Sequence, residues 1–347
     1  DMRVLVVGPT ENPWCVGYGG MERIAGLVVR GLLDRGVEVT AIAPEGSALD
    51  SRASVIECTR LENIQGEMLA YLRGKGLLRA KRFDALLDFS HTHLFRRHGL
   101  TDGWVKRSWS WMFHDPYGRP KATHSQYGGI MAISEWQRER LERYQGIEST
   151  LLDIICVDET AYAYAETPNC GRWVCLGVVC PEKGALETAQ MFKAIGIGLD
   201  VVGPTPIEHQ NIADSVVSIQ AETKGLILFH GEVSEAEKLR IMRASAGLIY
   251  LPQWPEPAGE PHNMKVAEAL CLGLPVVMLD RGSLSEVFGL MVGAHLAVDA
   301  EEAEDMITTA SHLPLEGESR AEISSAAFKA WGLRAVMDRL MGVLEGP

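Results

Sequence analysis

Residues 251–288 read LPQWPEPAGEPHNMKVAEALCLGLPVVMLDRGSLSEVF, and the succession of patterns in this stretch decides the fold class. The stretch begins where an apolar run stops at Pro252, and a loop rich in proline and glycine follows. Helical spacing of apolar residues then runs from Met264 to Cys271 and stops at Gly273. Residues 274–279 form a short apolar run that is typical of a buried strand. A strand, loop, helix and strand in this order predict a parallel α/β sheet.

Two carboxylates in this stretch, Glu260 and Glu268, stand eight residues apart. The first lies in the predicted loop and the second about one turn into the predicted helix. A helix N-terminus offers N–H groups and a positive dipole end that suit a phosphate, whereas a carboxylate suits sugar or ribose hydroxyls. The combination favours a nucleotide sugar as ligand. The alternative interpretation is a capped surface helix whose two glutamates are merely solvated.

The Glu-x7-Glu spacing, the run ALCLGLPVV at 269–277 and a glutamate after the next turn resemble the donor site of family 4 retaining glycosyltransferases. That family has the GT-B fold. The resemblance implies two Rossmann-like αβα domains that face each other across a cleft, with a C-terminal helix that returns to the first domain. The implied boundaries are 1–165 for the acceptor-side domain, 166–327 for the donor domain and 328–347 for the returning helix. The donor contacts that the resemblance implies in this stretch are Glu260, His262, Asn263, Met264, Lys265, Glu268, Ser283 and Glu286.

Composition agrees with a two-domain globular protein. The chain has 347 residues, a hydrophobic content of 46% and a charged content of 23%, which excludes a disordered chain. No apolar run approaches the roughly 18 residues of a membrane span. A strand pattern begins at Met2, which leaves no room for a signal peptide, and seven cysteines without a Cys-x-x-Cys pair suit a reducing compartment. We therefore expect a cytoplasmic protein.

The net charge of -13 is unevenly distributed along the chain. Residues 1–165 hold 20 Lys+Arg against 21 Asp+Glu, and the remainder holds 13 against 25. An acidic second half argues against nucleic acid as a partner there. The resemblance implies a weak contact with the inner membrane face through the basic run at Lys75, Arg79, Lys81 and Arg82, although a solvated helix end is the commoner explanation.

Strand patterns alternate with helical ones over the rest of the chain. Strands are predicted at 2–7, 37–43, 55–58, 83–90, 109–113, 129–134, 173–177, 199–204 and 227–232, and helices at 21–33, 63–73, 135–144, 235–244, 300–310 and 328–344. Gly19 and Gly20 open the first helix, where backbone N–H groups can approach a diphosphate or a sugar. In the family a Gly-Gly pair occupies this place, and a histidine in the place of His114 reaches the transferred sugar.

The donor domain opens with a strand followed by Gly177-Val178-Val179-Cys180-Pro181-Glu182-Lys183-Gly184. The family pattern here is Gly-Arg-x-x-x-Glu-Lys-Gly, in which the arginine and the lysine clamp the donor diphosphate. Lys183 matches the lysine, but Val178 stands at the arginine position. Lys265 or Arg281 could supply the missing cation, or the donor could differ. The family also implies that the Gly231 region lines the base and ribose.

The function implied is a retaining, hexosyl-type glycosyltransferase that uses a UDP-, GDP- or dTDP-sugar and proceeds by front-face displacement, with His114, Glu260 and Lys183 as catalytic residues. The absence of an Asp-x-Asp motif agrees with a metal-independent reaction without a cofactor. The acceptor stays open among small molecules, lipids and glycans. Two alternatives remain: a nucleotide-sugar epimerase of the same fold, and a non-catalytic protein that binds nucleotide sugars.

Overall fold

The computed structural model describes residues 2–16, 19–59, 78, 81–90, 103–111, 113, 129–166, 170–255, 257–312 and 319–346. Some of the predicted features lie outside the described residues: the helix at 63–73, His114, and Lys75 and Arg79 of the basic run. Two compact units make up the chain. The first unit contains residues 1–156 and 333–347, and the second contains residues 157–332.

The first unit is built on a seven-stranded sheet with the order β3-β2-β1-β4-β5-β6-β7, in which every neighbouring pair is parallel. Its strands are β1 (Arg3–Val7), β2 (Glu38–Pro44), β3 (Ser54–Cys58), β4 (Phe83–Asp88), β5 (Val105–Trp111), β6 (Ile130–Ala132) and β7 (Thr150–Leu151). Helix α1 (Gly20–Leu33) connects β1 to β2, and α2 (Glu135–Arg140) continues into a π-helical turn at Leu141–Gln145. The Ser134 hydroxyl accepts a hydrogen bond from Gln137 N at 3.2 Å and caps α2 as predicted.

The second unit contains a six-stranded parallel sheet with the order β10-β9-β8-β11-β12-β13. Its strands are β8 (Trp173–Leu176), β9 (Leu199–Val202), β10 (Ile227–Gly231), β11 (Leu248–Tyr250), β12 (Val276–Leu279) and β13 (Ala294–Ala297). Its helices are α3 (Ala185–Ile195), α4 (Gln210–Thr223), α5 (Glu235–Ala244), α6 (Met264–Cys271), α7 (Leu284–Phe288), α8 (Ala300–His312) and α9 (Arg320–Trp331). The direction of strand order reverses between β8 and β11, and ligands of open α/β sheets bind outside the carboxyl ends of strands at such a point.

Both faces of the second sheet are covered, which explains why its strands read as continuous apolar runs. Along β11, Leu248 and Tyr250 belong to one core cluster, whereas Ile249 and the following Leu251 belong to the other. The strands β8 and β12 alternate in the same way. Each fully buried large side chain of this kind contributes roughly 1.5–3 kcal/mol to folding.

The C-terminal segment differs from its prediction because Gly332 divides it. The predicted helix 328–344 is instead the end of α9 and a separate helix α10 (Leu333–Glu345), with an extended backbone at Gly332 (φ -57°, ψ 141°). Helix α10 belongs to the first unit, where Arg35 of α1 pairs with Asp338. The return of a C-terminal helix to the first domain is thereby confirmed.

The boundaries between the units differ from the predicted positions 165/166 and 327/328. The chain passes between units at 156/157 and at 332/333. Residues 157–165 lie in the second unit because Val157 pairs with Gly332 in an isolated parallel bridge and Tyr162 is buried in the second unit's core. The Arg243 side chain also donates to the carbonyl oxygen of Ala161 at 2.8 Å.

Helices α3 and α4 are among the helices of the second unit that were not predicted. Neither has a side-chain cap at its N-terminus, because Gly184 and His209 precede them without such a hydrogen bond. The usual start signal of a helix is therefore missing from the sequence there. Among the described residues, no helix has both the length and the apolarity needed to cross a membrane.

Candidate functional site

Three of the predicted donor residues of the second unit, Lys183, Glu260 and Lys265, meet at the carboxyl ends of β8 and β11, where the strand order reverses. Leu248 of β11 pairs with Val174 of β8, so the loops that follow these strands leave the sheet side by side. The first loop carries Lys183, and the second carries Glu260. This is the position at which a parallel α/β sheet most often binds its ligand.

The Glu260 carboxylate is the centre of this site. Its Oε2 atom accepts from Lys183 Nζ at 2.6 Å, from the Tyr250 hydroxyl at 2.5 Å and from Trp254 Nε1 at 3.1 Å. No hydrogen bond from a described residue reaches its other oxygen, Oε1. Ser283 N donates to the Glu260 carbonyl oxygen at 2.8 Å, which holds the loop against the start of α7. One carboxylate oxygen is thus saturated, and the other remains an acceptor for a ligand hydroxyl.

The charge state of Glu260 follows from its neighbours. Burial by itself would raise the pKa of this carboxyl, but the charge and hydrogen bond of Lys183 outweigh burial and leave the pKa below its ordinary value. Burial and the adjacent Glu260 raise the pKa of the Tyr250 phenol well above its ordinary value. At neutral pH the site therefore contains an ionised carboxylate that accepts a hydrogen bond from a neutral phenol.

Lys183 reaches this carboxylate because of a tight turn. It ends a 3₁₀ turn (Pro181–Lys183), and Gly184 follows in the left-handed conformation at φ +69°. A Cβ atom at Gly184 would overlap the carbonyl oxygen of Leu251, so the turn can approach the end of β11 only with glycine there. The Lys183 ammonium also lies 5.3 Å from the centroid of the Trp254 ring.

A second ammonium group, that of Lys265, enters the same region from the first turn of α6. Its Nζ donates to the carbonyl oxygen of Leu176, the last residue of β8, at 2.7 Å and lies 4.8 Å from the centroid of the Tyr250 ring. Burial and the charge of Lys183 lower its pKa to about 8, although Glu260 acts in the opposite direction. Two lysines therefore lie near one carboxylate.

The N-terminus of α6 is less open than predicted. The Asn263 side-chain oxygen accepts from the backbone N–H groups of Lys265 at 3.0 Å and Val266 at 3.2 Å, so two of the first-turn donors are already occupied. Asn263 is buried and Met264 is half-buried. Contacts of their backbone with a ligand stay predictions.

Glu268, the second carboxylate of the motif, is 1% exposed and belongs to a separate ion-pair network. Its Oε2 lies 3.1 Å from Lys238 Nζ of α5, and Lys238 also pairs with Glu235 at 2.9 Å. The Tyr162 hydroxyl donates to Glu235 at 2.5 Å and extends the network to the start of the second unit. The predicted contact of Glu268 with ribose hydroxyls stays a prediction, and Lys238 pairs with this carboxylate.

The other predicted donor residues of the second unit lie in different environments. The His262 ring packs edge-on against Phe288 at 5.4 Å and Trp331 at 6.4 Å between ring centroids, so aromatic packing accounts for its position. The Ser283 hydroxyl donates to the Pro261 carbonyl oxygen at 2.7 Å and supports the Glu260 loop. Glu286 is exposed in α7, and Gly231 ends β10 with φ +63°.

The first unit holds the remaining predicted residues. Gly19 precedes α1 as its N-cap, and Gly20 is its first residue. The side chain of Glu22, in the first turn, is buried and accepts from Asn12 Nδ2 at 3.1 Å. A carboxylate at this helix N-terminus suits ligand hydroxyls better than phosphate. His114 lies outside the described residues.

Sequence reasoning missed Tyr250, Trp254 and Lys238, although each had a signal. Tyr250 is a polar-tipped aromatic residue at the end of an apolar run, Trp254 stands in the loop before Glu260, and Lys238 follows Glu235 by three residues in a polar helix. Within the part of the chain that the structure describes, no group of three or more His, Cys, Asp or Glu side chains could hold a metal ion.

Comparisons with known proteins show the fold. No protein-family model matches the chain. A glycogen synthase from Anaeromyxobacter dehalogenans (strain 2CP-C) is 34% identical over 102 residues, which is 28% of this chain and only 20% of that protein's length.

Solved structures match over nearly the whole chain. AviGT4, a glycosyltransferase involved in avilamycin A biosynthesis, has a TM-score of 0.72 at 22% identity, with 99% of this chain and 97% of that chain covered. Sucrose-phosphate synthase from Thermosynechococcus elongatus has a TM-score of 0.75 at 12% identity, with coverage of 99% and 98%. Anabaena HepE, solved with UDP and glucose, has a TM-score of 0.73 at 13% identity, with coverage of 99% and 100%. The chain has the predicted GT-B fold.

Proposed function

We propose that this protein is a glycosyltransferase that moves a sugar, with retention of anomeric configuration, from a nucleotide-sugar donor to an acceptor hydroxyl. The observation that carries the proposal is the pairing of Lys183 Nζ with Glu260 Oε2 at 2.6 Å beside the switch point of the second sheet. At this switch point the carboxylate suits sugar hydroxyls and the cation suits a diphosphate. These are the two halves of a nucleotide sugar. The GT-B fold, shared with glycosyltransferases, supports the same conclusion.

The second unit would bind the donor. Glu260 Oε1 would accept from a hydroxyl of the sugar, and Lys183 would turn from Glu260 to the diphosphate. Glu268 would bind the ribose, with Gly231 near the base, while Asn263 and Met264 would contribute backbone groups. HepE, which shares this fold, was solved with UDP and glucose, and this supports a uridine nucleotide among the candidate donors.

In the proposed reaction the bond between the anomeric carbon and the diphosphate oxygen breaks, and a bond from the anomeric carbon to the acceptor oxygen forms on the same face. The acceptor proton passes to the departing phosphate oxygen, so no separate base is needed. Lys183 would stabilise the negative charge that develops on the leaving group. On the acceptor side we assign roles to Gly19, Gly20 and His114. The charge stabilisation comes from side chains, and we propose that the reaction needs no metal ion or cofactor.

Thermal unfolding with a panel of UDP-, GDP-, dTDP- and ADP-sugars tests the donor assignment. A donor at about 100 times its Kd should stabilise the protein by about 2.7 kcal/mol. Glu260→Gln should abolish the shift, whereas Glu237→Gln, at a half-buried glutamate of α5 that pairs with Arg240, should leave it unchanged. If none of the nucleotide sugars shifts the unfolding temperature of the wild-type protein, the transferase proposal is wrong.

The reaction itself is tested with the donor identified in that panel and a set of sugar, lipid and polyphenol acceptors. A transferase forms a new glycoside only when an acceptor is present, and NMR of the anomeric proton should show the donor's configuration. Conversion of the donor alone into an isomeric nucleotide sugar would indicate an epimerase instead, and binding without any conversion would indicate a binding protein.

A further inference from the structure

The site departs from the family pattern, because an apolar side chain stands where the diphosphate-binding arginine is expected. A lysine close to that position has no carboxylate partner at hydrogen-bond distance among the described residues. Val178 occupies the arginine position in the loop after β8. The Lys265 ammonium lies directly against that loop, because its Nζ donates to the carbonyl oxygen of Leu176 at 2.7 Å. A Cβ atom at Gly177 would overlap Lys265 Nζ, so the ammonium group rests on the backbone immediately before Val178.

The surroundings of Lys265 favour an additional anion. An ammonium group has three N–H donors, and the bond to the Leu176 carbonyl is the only hydrogen bond that the Lys265 ammonium makes to a residue in the described ranges. Its ring contact with Tyr250 is shared by Lys183, whose Nζ lies 5.9 Å from the same ring centroid. Glu260 is the carboxylate near both ammonium groups, and Lys183 already pairs with it at 2.6 Å. Counted over the residues that the structure describes, these two cations and one carboxylate give a net positive charge at the carboxyl ends of β8 and β11.

Arg281, the other cation close in sequence to this site, is placed differently. Its Nη1 donates to the carbonyl oxygen of its own neighbour, Asp280, at 2.8 Å, after the end of β12. Among the described residues, no hydrogen bond or ion pair joins it to the loop that contains Val178. Lys265, in contrast, reaches that loop from the first turn of α6, across the end of β11.

We propose that Lys265 binds the diphosphate of the donor together with Lys183 and takes the place of the arginine that Val178 replaces. The inference rests on the proposed nucleotide-sugar donor and names a residue of that same site. The Leu176 carbonyl holds the ammonium group in place. The two other N–H donors of the ammonium group would bind phosphate oxygens, which carry the countercharge. Glycine at 177 leaves room for this lysine, whereas a side chain at 177 would displace it.

The alternative is that Lys265 only ties α6 to the end of β8. Binding of a nucleoside diphosphate distinguishes these two roles, because a purely structural hydrogen bond affects folding, whereas a ligand contact affects affinity. We would measure the affinities of UDP, GDP, dTDP and ADP by calorimetry, without added metal, for the wild type, Lys265→Met, Val178→Arg and the double variant. Arg281→Met is the matched control, and the corresponding nucleosides, which lack phosphate, are the control ligands.

Lys265→Met should weaken binding of the tightest nucleoside diphosphate about 10- to 100-fold, which corresponds to the loss of one charge-assisted hydrogen bond. It should leave nucleoside binding unchanged, and Arg281→Met should change the diphosphate affinity by less than about twofold. Val178→Arg should raise the diphosphate affinity of the wild type by less than about threefold, because Lys265 already fills the position of the arginine. In the Lys265→Met background the same substitution should raise the affinity at least about tenfold.

Two results would overturn the inference while leaving the donor assignment intact. One is a Lys265→Met variant that binds the diphosphate as tightly as the wild type. The other is a Val178→Arg variant that tightens binding tenfold or more by itself, which would mean that the native site lacks a second cation. The Val178→Arg result decides the matter even if Lys265→Met does not fold. If no nucleoside diphosphate binds to the wild type, the proposed function fails and the inference fails with it.

Discussion

The ammonium group of Lys183 and the carboxylate of Glu260 lie 2.6 Å apart although 77 positions separate them in the sequence. The pair joins the loop after β8 to the loop after β11 at the reversal of strand order in the second sheet. Tyr250 and Trp254 donate to the same carboxylate oxygen and hold the Glu260 carboxylate in place. Such preorganisation reduces the ordering that ligand binding would otherwise require.

Removal of either partner of this pair should destabilise the protein. Lys183→Met leaves a buried carboxylate with two neutral donors, and we expect it to reduce the free energy of unfolding by about 1–3 kcal/mol. In the double variant Lys183→Met/Glu260→Gln the loss should be smaller than the sum of the two single losses, because the buried charge is gone. Urea unfolding of the four proteins gives the coupling directly, and additive losses would show that the pair contributes no interaction energy.

Lys265 should make stability depend on alkaline pH. Burial and Lys183 lower its pKa from the ordinary value of 10.5 to about 8, so between these values the unfolded chain binds more protons than the folded protein. The buried charge of Lys265 therefore lowers the free energy of unfolding fully below pH 8, and this loss is relieved as the pH rises toward 10.5. The charged or titratable groups that face it are Lys183, Glu260, Cys175 and Cys180.

The measurement is the free energy of unfolding of the wild type and Lys265→Met at pH 7 and pH 10. The wild type should gain stability relative to the variant at the higher pH, since every other titrating group is common to both proteins. A difference between the two proteins that does not vary with pH would contradict a lowered pKa at Lys265.

The turn at Gly184 offers a matched pair of glycine substitutions. Gly184 and Gly196 both have positive φ, +69° and +73°, but a Cβ atom would overlap the Leu251 carbonyl at the first and meet nothing within 4 Å at the second. Gly196→Ala should cost about 1 kcal/mol for the backbone conformation alone. Gly184→Ala should cost clearly more and should also weaken donor binding, since it displaces Lys183. Equal losses of stability would mean that the turn adapts without cost.

Lys238 should orient Glu268 rather than merely add surface charge. Lys238→Met leaves the buried Glu268 carboxylate without its 3.1 Å partner, and we expect a loss of about 1–3 kcal/mol together with weaker nucleotide binding. Arg240→Met, which removes an exposed i, i+3 pair with Glu237 on the same helix, should cost less than about 0.5 kcal/mol. Similar losses for both variants, with nucleotide affinity unchanged, would contradict a positioning role.

Much of the fold could be predicted because the strands are buried on both faces. Apolar runs such as 248–251 and 274–279 are typical of strands that are covered on both faces, and Ser134 marks a helix start with its own side chain. The helices α3 and α4 escaped prediction because glycine and histidine, rather than a capping side chain, precede them. The division of the C-terminal segment at Gly332 also escaped, because the extended backbone there depends on the bridge to Val157.

The sequence by itself determined the α/β class, the loop and helix that carry Glu260 and Glu268, and the candidacy of Lys183, since periodicity and spacing are local properties of the chain. Only the tertiary structure decided which side chains meet. It placed Lys183, Tyr250 and Trp254 on one oxygen of Glu260, paired Glu268 with Lys238, and placed Lys265 rather than Arg281 beside Val178. The physical reason is that parallel strands distant in sequence end at the same edge of a sheet, and hydrogen bonds and charges there depend on distances that no local pattern encodes.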